Sequence, residues 1–147
     1  MWRLLQRSFH RLRLMAYRRR VEQALGGDRL RLKSVWNRLE IEWRARDLHP
    51  WDRELGREKQ AQIFANQCLS DTEEAILTLF AALPQVDVLE LKVTAPESEA
   101  VLLAGTVPRS AVDEEERRPL SVKMRLNAMG VRYREIDSYL EGLEEEG

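Results

Sequence analysis

Residues 30–45 read LRLKSVWNRLEIEWRA, and apolar side chains recur there at every second position. A period of two is that of a half-buried strand, with one face in a core and the other outside it. Leu30 and Leu32 hold even positions, whereas Val35, Leu39, Ile41, Trp43 and Ala45 hold odd ones. A strand cannot swap faces without an interruption, so a bulge or turn is expected near Lys33-Ser34. Beyond it, residues 35–45 form the clearest strand of the chain. Trp36, Arg38, Glu40, Glu42 and Arg44 occupy its other side, which must be wet or covered by something amphipathic.

Toward the C-terminus, Pro50-Trp51-Asp52 breaks the strand and offers an N-cap. Residues 53–69 have helical spacing around Ile63, Phe64 and Cys68. The run Ser70-Asp71-Thr72-Glu73 has capping-box spacing and predicts a second helix over Ile76, Leu77 and Phe80, stopped by Pro84. Residues 86–94 form a strand with Leu89, Leu91 and Val93 on one face. Residues 101–107 are apolar enough for a central strand buried on both sides, within which Gly105 marks a bulge or a close backbone approach. A helix over 119–129 ends at Gly130, and a last strand follows from Val131.

The resulting succession is β-α-β-β-α-β after an N-terminal helix, which is the order of the ferredoxin-like split fold. The expected class is α+β: a two-layer sandwich with a mixed four-stranded sheet, both helical segments lying on one face. The expected divisions are residues 1–27 as a basic amphipathic helix, 28–140 as the α+β domain, and 141–147 as an acidic, frayed tail.

Toward the N-terminus the charge changes character. The first twenty residues hold seven arginines and no acid. Through Ser34 there are ten basic and two acidic residues, net +8, and residues 35–147 carry net −9, so the total of −1 is a cancellation. Such a split shapes fields and partners without choosing the fold. Leu5, Phe9, Leu12 and Ala16 follow a 3, 4 spacing over residues 2–25, with Arg3, Arg7, Arg11 and Arg18 on another side, and Gly26-Gly27 ends the helix. This head has the Arg-rich, acid-free composition of a transit peptide, but the expectation is a docking helix of a cytoplasmic protein. A protein partner or self-association is expected first, nucleic acid second, and an anionic membrane surface is a further fit. Arg3, Arg7, Arg11, Arg18 and Trp36 are the candidate partner-binding residues, since Trp and Arg dominate interface hot spots.

Chemistry-bearing motifs are scarce. Glu90-Leu91-Lys92 spells the E-x-K of metal-dependent nucleases on a strand, and the surrounding order resembles the restriction-endonuclease core. That family keeps its aspartate on a preceding strand or turn, whereas Asp87 lies on the same strand and on the opposite face. A salt-bridged pair is the expected role of Glu90 and Lys92. His10 and His49 are the only histidines and have no ligand spacing around them. Cys68, the one cysteine, excludes an intrachain disulfide and reads as a buried thiol. Seven glycines with one adjacent pair give no phosphate loop. No cofactor, metal site or catalytic residue is expected, and the functional expectation is a non-enzymatic interaction or assembly module, with nucleic-acid binding through the Arg-rich helix second and a metal-dependent, nuclease-like hydrolase at Glu90 and Lys92 third.

Overall fold

A computed structural model describes residues 30–35, 37–112 and 118–144. It opens on a hairpin: β1 (Arg31–Val35) and β2 (Arg38–Arg44) pair antiparallel, with Val35 opposite Arg38. The parity change therefore comes from a turn, a tight reversal between those two residues, just beyond Lys33-Ser34. The strand expected over 35–45 is β2, which begins only at Arg38, and β1 ahead of it is a separate strand. Leu32 stands opposite Ile41 in the hairpin register, so even positions of β1 share a face with odd positions of β2.

After β2 come a 3₁₀ turn (Pro50–Glu54) and α1 (Arg57–Ala82). The turn is capped by His49, whose Nδ1 accepts from the Trp51 amide at 3.3 Å. α1 is one unbroken helix of 26 residues where two were expected. Its buried positions Ala65, Cys68, Leu69, Thr72, Ala75, Ile76, Leu79 and Phe80 keep helical spacing straight through the Ser-Asp-Thr-Glu run. One continuous apolar face outweighs a local cap signal. Thr72 stays inside the helix by donating its hydroxyl to the Cys68 carbonyl at 2.7 Å.

β3 (Val88–Thr94) lies parallel to β2, and β4 (Val101–Pro108) returns antiparallel to β3 with a register shift at Val93/Thr94. α2 (Val122–Met129) begins at an N-cap Ser121 that accepts from the Met124 amide. It ends at Gly130, held at φ 101°. β5 (Val131–Ile136) and β6 (Tyr139–Glu141) form a last hairpin, whose turn residues Asp137 and Ser138 both have positive φ. Positive φ at both central positions suits the twist of a two-residue hairpin.

All six strands belong to one mixed sheet in the order β1-β2-β3-β4-β5-β6. The α+β class holds, but four expected strands become six, because the first segment folds into a hairpin and the last turns back as β6. The succession β2-α1-β3-β4-α2-β5 is the expected one. Its spatial arrangement is not the split one, since the parallel strands β2 and β3 are direct neighbours. Glu141, expected in the acidic tail, is in β6, and the Leu143 amide donates to the Val101 carbonyl at 2.7 Å. The expected head helix lies outside the described residues.

The register explains the core. Leu39, Ile41 and Trp43 of β2 sit beside Leu89, Leu91 and Val93 of β3, which sit beside Val107, Gly105 and Leu103 of β4. The side chains of this face join Cys68, Leu69, Ile76, Leu79 and Phe80 of α1 and Leu126 and Met129 of α2 in one buried cluster. Both helices therefore pack on the same side of the sheet. Each fully buried leucine-sized side chain contributes roughly 1.5–3 kcal/mol.

Candidate interaction face

The opposite parity builds the other sheet face in rows. Arg31, Glu42, Lys92, Ala104 and Arg132 are register neighbours across five strands. Lys33, Glu40, Glu90 and Thr106 form the next row, and Arg38, Val88 and Pro108 a third. Cations outnumber carboxylates on this face, while Asp71, Glu73 and Glu74 lie across the sheet on α1. A groove of about 300 Å³ crosses β1 to β3, lined by Arg31, Lys33, Glu40, Glu42, Glu90 and Lys92. Arg38 closes on Glu90 at 2.9 Å. Both side chains are more than a third exposed, so this pair contributes only about 0–1 kcal/mol. Glu40 and Glu42 stand opposite Lys33 and Arg31, yet among the described residues no ion pair engages either carboxylate. At one end, the Arg44 guanidinium donates to the Pro96 carbonyl at 2.7 Å and reaches Glu99 at 3.7 Å. Its Nε is buried without a partner among the described residues.

Glu90 and Lys92 do share this face, but the Glu90 carboxylate is taken by Arg38. Asp87 accepts from Asn37 Nδ2 at 3.0 Å, and the Asn37 carbonyl accepts from the amides of Asp87 and Val88. These contacts give each carboxylate a partner from β2 or from the turn before it. Among the described residues no three His, Cys, Asp or Glu side chains stand close enough to hold a metal ion.

Arg3, Arg7, Arg11, Arg18 and Trp36 lie outside the described residues, as does His10. His49 packs in its turn against Trp51, with ring centroids 4.5 Å apart and planes tilted by 55°. Trp51 itself is 79% exposed. Cys68 is buried, and its thiol is pushed up to about 12, first by burial and then by the nearby Asp71 carboxylate.

The sequence reading missed two arginines that hold the helical layer. Arg109 donates to the carbonyls of Phe80 (2.9 Å), Leu83 (2.7 Å) and Val86 (2.9 Å). These groups lie at and just beyond the C-terminus of α1, where helix carbonyls lack internal partners and a cation is favoured. Arg125 of α2 forks onto Glu73 of α1 at 2.5 and 2.9 Å. Hydrogen bonding to Glu73, reinforced by its charge, holds Arg125 still more firmly protonated than usual. Both pairings join residues far apart in sequence, so no local spacing announces them.

Among the described residues no helix is long and apolar enough to cross a membrane. Comparison with protein-family models, with curated proteins and with solved structures finds no match, so function is read from the geometry alone.

Proposed function

We propose that this chain is a non-enzymatic interaction or assembly module that docks through its basic N-terminal segment, with the open sheet face as the adjoining surface. One observation supports it above others. α1 and α2 pack on the same side of the sheet, and the other side carries mixed-sign rows in which Glu40 and Glu42 have no ion-pair partner among the described residues. Mixed-sign faces select a protein partner by complementarity and repel wrong ones, contributing more to specificity than to affinity. A second copy is one such partner, because each copy brings both a basic head and an acidic body. Light scattering on the full chain and on a chain lacking residues 1–20 tests the reading. A docking head requires the deletion to change the mass or the solubility. A truncated chain that stays soluble, monomeric and unchanged contradicts it.

The cation excess of the same face favours a second reading, nucleic-acid binding through the Arg-rich segment and the face beside it. That reading requires retention on an oligonucleotide column with a slope near −0.9 per neutralised phosphate in log affinity against log salt. Elution at the same salt after residues 1–20 are deleted counts against it.

A further inference from the structure

Taken strand by strand, the open face is striped by charge. β2 carries Glu40 and Glu42 between Arg38 and Arg44, and β3 carries Glu90 and Lys92. β4 carries the short Ala104 and Thr106, and β5 carries Arg132 and Arg134. Lys92, Arg132 and Arg134 are exposed, while Glu40 and Glu42 are half-buried. Among the described residues no ion pair engages Glu40, Glu42, Lys92 or Arg134. Charge of both signs is therefore left unanswered, acid on β2 and base on β5, at equal distances from the β3–β4 boundary.

We propose that this face is an interface between two copies of the chain, related by a two-fold axis running along the strands between β3 and β4. The inference deepens the docking reading above and rests on its use of the open face. In the strand order β1 to β6, such an axis sets β2 over β5 and β3 over β4. Glu40 and Glu42 then meet the β5 arginines of the second copy, and symmetry repeats the contact. The long Glu90 and Lys92 side chains lie over Ala104 and Thr106, whose size leaves room for them. Sheets packed face to face keep their strands within about 30° of one another, so acid stays over base. A polyanion is the poorer occupant, because Glu40 and Glu42 in the middle of the face repel it. Five strands at ~4.8 Å by seven residues at ~3.3 Å project to roughly 550 Å² per copy. Two such faces bury about 1,100 Å², the low end for a specific interface, which makes the dimer weak and reversible.

Sedimentation velocity of the full chain at low salt measures the association. Glu42→Arg alone and Arg134→Glu alone should each weaken it at least about tenfold, and mixing the two variants should restore it to within about threefold. Where circular dichroism shows that a variant has lost its fold, a nitroxide at Lys92→Cys decides in the otherwise native chain, with buried Cys68 unmodified. Faces ~10 Å apart bring labels at position 92 of two copies within roughly 25 Å, whereas labels at Glu74→Cys on α1 lie farther apart. A chain that stays monomeric at every concentration overturns the inference. So does a dimer whose mass ignores both swaps, or whose labels at position 92 stay far apart. Deletion of residues 1–20 separates the two claims. A dimer lost with the head but indifferent to the swaps overturns this interface and leaves the docking reading standing. A dimer that answers to the swaps and survives the deletion upholds this interface and counts against docking through the head.

Discussion

Arg109 and Phe80 are joined twice: the guanidinium donates to the Phe80 carbonyl at 2.9 Å and lies 4.8 Å from the Phe80 ring centroid. The same fork serves Leu83 and Val86, so one side chain closes the end of a 26-residue helix. Arg109→Ala leaves several half-buried carbonyls without that donor and should destabilise the fold by about 2–4 kcal/mol. Arg109→Lys should recover less than half, since an ammonium cannot reproduce the planar fork. Urea unfolding midpoints measure both; a loss below about 0.5 kcal/mol for the alanine variant would contradict the capping role.

Gly105 is required by the approach of β5. A Cβ at this position would lie 2.4 Å from the Gly130 carbonyl oxygen and 2.9 Å from the Val131 Cα. Both are backbone atoms, so relief requires the α2–β5 junction to move. Gly105→Ala is expected to cost about 2–3 kcal/mol, and thermal melting checks it. An unchanged melting midpoint would mean that the junction gives way freely.

The Arg125–Glu73 pair is the one described ion pair between α1 and α2, with side-chain exposures of 21% and 12%. That shelter places it above ordinary surface pairs. A double-mutant cycle with Arg125→Met and Glu73→Gln should return a coupling of about 1–2 kcal/mol. Additive effects of the two changes would show that the helices are held by apolar contact alone.

Cys68 links stability to alkaline pH. Its thiol is pushed up to about 12 in the fold, against an ordinary value of 9.0. Between those values the unfolded chain loses the proton and the folded chain keeps it, so this contribution to stability is complete below pH 9 and declines toward pH 12. Cys68→Ala should flatten that decline. The native thiol should also resist a thiol-reactive dye at pH 8 until the protein unfolds. Rapid native labelling would contradict its burial.

Much of the fold was legible in side-chain period. Leu39, Ile41 and Trp43, and likewise Leu89, Leu91 and Val93, were assigned to the buried face by alternation alone, and the register sets the two triplets side by side. Where local signals competed with tertiary ones, the local signals misled. The parity change between Leu32 and Leu39 is as consistent with a hairpin as with a bulge, because antiparallel partners across a tight turn have opposite parity. Ser70 and Glu73 have capping-box spacing, yet Glu73 is claimed by Arg125, fifty-two positions away. Strand adjacency was the least accessible feature: the same succession of elements serves an interleaved sheet or a sequential one. Of the site, the expected pairing of Glu90 with Lys92 gives way to Arg38, a partner that follows only from the β2–β3 register.

The account turns on the basic N-terminal segment acting as the docking element. Its most direct test is the chain cut to residues 30–147, compared with the full chain by light scattering and by binding of a dye that reports exposed apolar surface. The account predicts that the shortened chain keeps its secondary structure and differs from the full chain in mass or in dye bound. Equal masses with equal dye binding would contradict it.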